Sequence, residues 1–173
     1  RQLYLNTKRA LRLGLEQPRN RQDRISDKQQ TVLQKLLDKG LAEETIKAIW
    51  ENTADEYFLR ESASNIVWHT EAIAKFDNED PLISIQGRLG NSAEGATQIL
   101  IYTRDSDFLF ANSTAAFEKL NLNIQGARIF TSANDYCIDT YTVLESNDKP
   151  VGDNPKKIAQ IKSVLTQYLS SNK

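Results

Sequence analysis

Residues Thr97–Phe110 read TQILIYTRDSDFLF, and this stretch decides the fold. Thr97–Thr103 is β-branched and aromatic at nearly every position and apolar on both faces, so the spacing predicts a central strand. Arg104–Asp105–Ser106–Asp107 then supplies turn chemistry. From Ser106 or Asp107 to Asn121, residues Phe110, Thr114, Phe117 and Leu120 recur at helical spacing. A strand feeding directly into a helix leaves free backbone N–H groups and the positive end of a helix dipole at the turn. That arrangement suits a small anion such as an amino-acid carboxylate. Asp105 or Asp107 serving only as a helix cap is the plainer alternative.

On the C-terminal side, Asn123–Thr131 and Tyr136–Leu144 are two β-type runs joined by a turn at Ala133–Asp135, a hairpin. Asn154 caps a last helix, with Pro155 at its first position and Ile158, Ile161, Leu165 and Leu169 as its stripe. On the N-terminal side, Leu82–Arg88 is a strand and Leu89–Ala96 a Gly/Asn/Ser loop. The order is ββαββα, an antiparallel sheet with helices on one face, hence α+β.

Upstream of Asp77–Pro81 the pattern is helical. Leu3, Thr7, Ala10, Leu11 and Leu15 suggest a first helix that Pro18 stops, followed by a basic loop at Arg19–Arg24. Ser26 and Gln29 form a capping-box pair for a second helix, with Val32, Leu33, Leu36 and Leu37 inward and Gly40 at its end. A third helix is expected over 42–60, with Ile46, Ile49, Trp50, Ala54, Tyr57 and Phe58 as its stripe. A fourth is capped by Ser62 or Ser64 and carries Ile66, Thr70 and Ile73. The partition is residues 1–77, a helical segment, and 78–173, an α+β module.

Composition bounds the function. The 173 residues carry 22 basic and 23 acidic side chains, which argues against a general nucleic-acid binder. The single Cys137 cannot form an internal disulfide and suits a reducing, cytoplasmic setting. No apolar run approaches the roughly 20 residues that span a bilayer, so no membrane role is expected. There is no methionine, and Arg1 stands first, so the chain is expected to be a piece of a longer protein. With one histidine, His69, it cannot build a multi-histidine metal site, and His69 is expected to pack or hydrogen-bond. Asp139, in an otherwise apolar run, is the one buried-acid candidate, with Arg128 on the facing strand as a possible partner.

Thr103–Phe110, Asn121–Thr131 and Cys137–Leu144 together resemble an ACT domain. With Tyr57–Glu61 (YFLRE), Val67–Thr70 (VWHT), Ala127–Thr131 (ARIFT) and Asp139–Ser146 (DTYTVLES), nearly the whole chain resembles one segment of a narrower family. That family is the bifunctional uridylyltransferase/uridylyl-removing enzymes that modify the nitrogen regulatory protein PII. The matching segment is the helical connector after the HD domain and the first ACT domain, which implies a connector for residues 1–77 and a regulatory domain for 78–173. The resemblance implies glutamine as effector, PII as substrate of the parent enzyme, ACT–ACT pairing, and magnesium and UTP as requirements of the parent. It implies no cofactor or catalytic residue within this piece. The ligand-binding residues it implies are Arg104, Asp105, Asp107, Phe108, Leu109, Asn123 and Gln125. Amino-acid-binding ACT turns often read Asp–x–Pro–Gly–Leu. Here Asp105 and Leu109 match, while Asp107 and Phe108 stand at the proline and glycine positions. Two other readings stand beside effector binding: a scaffold or PII-docking module that binds no metabolite, and a stand-alone amino-acid-binding regulator. The usual ACT order is βαββαβ, so Leu82–Arg88 either fills the missing edge or that strand lies beyond Lys173.

Overall fold

The computed structural model describes residues 2–77, 81–87 and 95–170, with side chains from residue 20 onward. The side chains of the expected first-helix stripe and of Arg19, the punctuation at 78–80, and residues 88–94 of the strand end and Gly-rich loop lie outside the described residues. The chain packs as two compact units, residues 1–71 and 72–173.

The first unit is helical. Helix α1 spans Gln2–Asp38 without interruption, which corrects the expected stop at Pro18, the loop at Arg19–Arg24 and the Ser26–Gln29 capping box. An interior proline removes one N–H from the ladder and crowds the carbonyl four residues back, a local cost of about 3 kcal/mol that a long helix can absorb. Asn20–Arg24 supply no further breaker, and Ile25 joins Val32 and Leu36 in one buried stripe, so the buried face begins before Ser26. The end is as expected. Gly40 has φ +91°, the Leu41 N–H bonds to the Leu36 carbonyl at 3.1 Å, and the Gly40 N–H bonds to the Leu37 carbonyl at 2.9 Å. This is the paired hydrogen-bond closure that a left-handed residue permits.

The expected helix over 42–60 is two: α2, Glu43–Glu51, and α3, Asp55–Arg60. Asn52 ends α2, and the Thr53 hydroxyl donates to the Ile49 carbonyl at 3.0 Å, a local bond that competes with helix continuation. Helix α4, Ala63–Ala74, is capped by Ser62, whose Oγ accepts the Asn65 N–H. Its buried face is mixed, with Ile66, Val67 and Ile73 alongside Asn65, His69 and Thr70. The Tyr57 hydroxyl and His69 Nδ1 lie 2.8 Å apart, Trp50 Nε1 donates to the Thr70 hydroxyl, and the Asn65 amide donates to the Glu61 carboxylate.

The second unit is an antiparallel four-stranded sheet, β1 Leu82–Gln86, β2 Thr97–Arg104, β3 Leu122–Thr131 and β4 Tyr136–Glu145, in spatial order β1-β2-β4-β3. Helices α5 (Leu109–Lys119) and α6 (Pro155–Ser170) cover one face. The early strand β1 pairs with β2 along its length and fills the edge that a final strand occupies in the βαββαβ order. The fold is α+β and ACT-like.

Strand β2 is central, and Ile99, Leu100 and Ile101 are fully buried. Each such side chain contributes roughly 1.5–3 kcal/mol of burial. Ile99 and Ile101 face the helices, joined there by Ile83, Phe117, Tyr141 and Val143 from the other elements, with Ile161 and Leu165 of α6 against them. Leu100 and Tyr102 face the opposite way, where Tyr102 stacks on Tyr136 at 4.9 Å and meets Phe76 edge-on at 5.6 Å. Asn154 Oδ1 accepts the Lys156 N–H, capping α6 as its sequence predicts. Strand β3 is an edge strand, exposed from Asn123 to Ile129, with a bulge between Ile124 and Gly126.

Candidate functional site

The candidate site forms where β2 ends. Arg104 pairs with Tyr136 across the sheet, and its guanidinium lies 5.7 Å from the centroid of that ring. The Asp105 N–H continues the pairing by donating to the Asp135 carbonyl at 2.7 Å. The β3–β4 turn, with Asp135 in the left-handed region at φ 62°, thereby fixes the start of the β2–α5 turn.

Helix α5 begins at Leu109, later than the expected Ser106 or Asp107. Its N-cap is Phe108, and no side chain makes a capping hydrogen bond. Neither Asp105 nor Asp107 caps it. Asp105 instead accepts through Oδ1 from the Cys137 thiol at 3.4 Å. The buried face of α5 is Leu109, Ser113, Ala116 and Phe117. That shifts the expected stripe by one position at its start: Phe110 is 57% exposed, and Thr114 is only half-buried. Leu109 must turn inward to close the core beneath the turn, which leaves Phe108 (63% exposed) and Phe110 at the surface. Two exposed phenylalanines beside a helix N-terminus are unusual unless something covers them.

Under the turn, the helix-facing side of β4 carries Cys137, Asp139 and Tyr141 in succession, all buried. Burial pushes the Cys137 thiol up to about 12, with the Asp139 and Asp105 charges acting in the same direction. Burial also raises the Asp139 carboxyl to about 7, and the like charge of Asp105 adds to the effect. Tyr141 is raised by burial and by Asp139, against which the nearby Ser113 hydroxyl acts; that hydroxyl donates to the Leu109 carbonyl at 2.8 Å. The expected Arg128–Asp139 pairing is not formed. Arg128 stands opposite Thr140 and Ile129 opposite Asp139, so Arg128 lies on the other face of the sheet.

The seven sequence-predicted site residues fall into two groups. Arg104, Asp105, Asp107, Phe108 and Leu109 share the turn, all exposed except Leu109. Asn123 and Gln125 lie at the far end of β3, where Asn123 pairs with Leu144. That is seven residues along β4 from Cys137, roughly 20 Å at strand spacing. Asn123 lines a separate shallow cleft with Glu118, Asn121 and Ser146. Tyr141 and Ser113 escaped the sequence reading. An acid in the apolar run Tyr136–Leu144 was the available signal for Asp139. Among the described residues no cluster of His, Cys, Asp and Glu is arranged to hold a metal ion, and no helix is long and apolar enough to cross a membrane.

Comparison with known proteins bears on both units. Residues 20–72 match the family described as "Uridylyltransferase GlnD fifth domain". Proteins named "Bifunctional uridylyltransferase/uridylyl-removing enzyme" are similar over nearly the whole chain. Identity is 43% over 98% of the chain for the protein of Stutzerimonas stutzeri strain A1501. It is 41% over 99% for that of Pseudomonas aeruginosa strain LESB58, and 42% over 99% for that of Ectopseudomonas mendocina strain ymp. The chain spans 19% of the length of each of these relatives. No solved structure matches it.

Proposed function

We propose that this chain, similar over nearly its whole length to one segment of the bifunctional uridylyltransferase/uridylyl-removing enzymes, is the regulatory segment of such an enzyme and responds to glutamine. The observation that carries the reading is the β2–α5 turn. An 11-residue helix starts there without a side-chain cap, over a buried carboxylate and between two exposed phenylalanines. The helix N-terminus suits the carboxylate of an amino acid, and Asp105 and Asp107 lie beside it. On this reading residues 1–77 are the connector and 78–173 the effector module. The parent uridylylates and deuridylylates PII in the cytoplasm, and its magnesium and UTP chemistry belongs to parts outside this chain. Glutamine binding favours one arrangement of the parent's domains and so shifts the balance between its two activities.

The long exposed edge β3 is the surface through which an ACT-like sheet pairs with a second one. Asn123 and Gln125, remote from the turn of their own module, then serve that paired interface.

One observation favours a scaffold role instead. Phe108 fills the position where a glycine would let a ligand approach the backbone. Following the amides of Arg104–Phe110 by NMR during addition of glutamine separates the two readings. Saturable shifts confined to the turn support effector binding; unmoved amides at millimolar glutamine leave the scaffold.

A further inference from the structure

Asp139 is the least accommodated group in the β module. It is 1% exposed, and its Oδ1 has no hydrogen-bond partner. The neighbour that acts on it electrostatically is another carboxylate, Asp105. Around it, Cys137 and Tyr141 of its own strand are neutral, and Ile101 of β2 and Ile129 of β3 flank it in register. On α5, Phe117 meets the Tyr141 ring at 4.9 Å and the Ser113 hydroxyl lies beside Tyr141, and neither carries a charge. A buried carboxylate left in this way either holds a proton or awaits a cation.

Its position says which cation. Cys137, two residues before it on the same strand face, is bonded to Asp105 of the turn. Tyr141, two residues after it, stacks on Phe110 of the first turn of α5, with ring centroids 6.4 Å apart. Asp139 is therefore bracketed by two contacts to the turn whose helix N-terminus lacks a side-chain cap. A positive helix end beside an unpartnered acid is complementary to a molecule carrying both charges close together.

We propose that Asp139 accepts the α-ammonium group of an amino acid whose carboxylate rests on the first turn of α5. This deepens the effector reading above and rests on it for the choice of glutamine. Asp105 is less suited to the role, because it is exposed and already receives the Cys137 thiol. Near neutral pH Asp139 exchanges its proton for the ammonium group, so binding releases a proton to solvent. Phe108 and Phe110, exposed in the free chain, close over the ligand's side chain.

The test is carboxyl-carbon NMR of Asp139 in the 173-residue chain at pH 6.5, with L-glutamine, its desamino analogue 4-carbamoylbutanoate, and the other common amino acids as probes. L-Glutamine is expected to move the Asp139 signal to its ionised position, and the desamino analogue is not. In parallel calorimetry, Asp139→Asn is expected to weaken glutamine at least tenfold and leave any binding of the desamino analogue unchanged. If glutamine binds while the Asp139 carbon stays put, this assignment is overturned and the effector reading survives. If glutamine does not bind but another amino acid ionises Asp139, the glutamine reading fails and the assignment stands. If no amino acid moves the signal, the assignment is wrong. The NMR arm uses the unmodified chain, so it decides even if the variant misfolds.

Discussion

The Cys137 thiol donates to Asp105 Oδ1 at 3.4 Å, and this bond ties the middle of the sheet to the turn that opens α5. Both partners are placed by register. Cys137 stands opposite Thr103, the penultimate residue of β2, and Asp105 is the first residue past that strand.

Cys137 should be chemically quiet. A thiol buried to 2% exposure and raised to about 12 carries almost no thiolate at neutral pH. Reaction with a disulfide reagent at pH 7.5 is expected to be at least a hundredfold slower in the native chain than after denaturation. Equal rates would show that the strand opens readily.

Stability should fall as pH rises through the range below neutral. Asp139 has a folded-state value of about 7 against an ordinary 3.8. A raised value means the native state holds the proton more tightly. The stabilisation is complete below about 4 and is lost as pH climbs to about 7, on the order of 4 kcal/mol in all. Denaturant melts between pH 4.5 and 7.5 check this. Asp139→Asn, which cannot ionise, is expected to flatten that part of the profile.

Gly40→Ala isolates a purely conformational cost. A Cβ at Gly40 meets nothing within 4 Å, but φ is +91°. The substitution is expected to destabilise the helical unit by about 1 kcal/mol through backbone strain alone. A melting point equal to that of the parent chain would show that the turn relaxes to another conformation.

The fold was legible where local chemistry and tertiary context agree. The two-faced apolarity of Thr97–Thr103 announces its central place, and Asn154 with Pro155 announces the start of α6. Misreadings arose where a distant element decides. Pro18 is a breaker by itself, yet α1 runs through it into the buried stripe at Ile25. Phe110 continues the helical spacing, yet closing the turn sends Leu109 inward. Arg128 and Asp139 look like facing partners, but the bulge at Gln125 resets the alternation of β3 and puts Ile129, not Arg128, beside the acid. The turn residues of the site were readable because turn and helix-start signals are local. Asp139, Tyr141 and Ser113 converge only through register, which no local pattern carries.

Sheet pairing through β3 has its own test. Ile124 is 38% exposed on the helix-facing side of the edge strand. Ile124→Lys is expected to cost the chain about 1–2 kcal/mol, since Ile124 is more than half buried. It should shift a dimer toward monomer in sedimentation, because edge charges oppose pairing. An unchanged association constant would move the interface elsewhere.

The most direct measurement is calorimetric titration of the purified chain with L-glutamine, with glutamate and asparagine as controls. Effector binding at the β2–α5 turn predicts saturable, glutamine-selective heat that Asp105→Ala weakens. No heat up to millimolar glutamine would contradict a sensor in this module and leave it as a connector and scaffold.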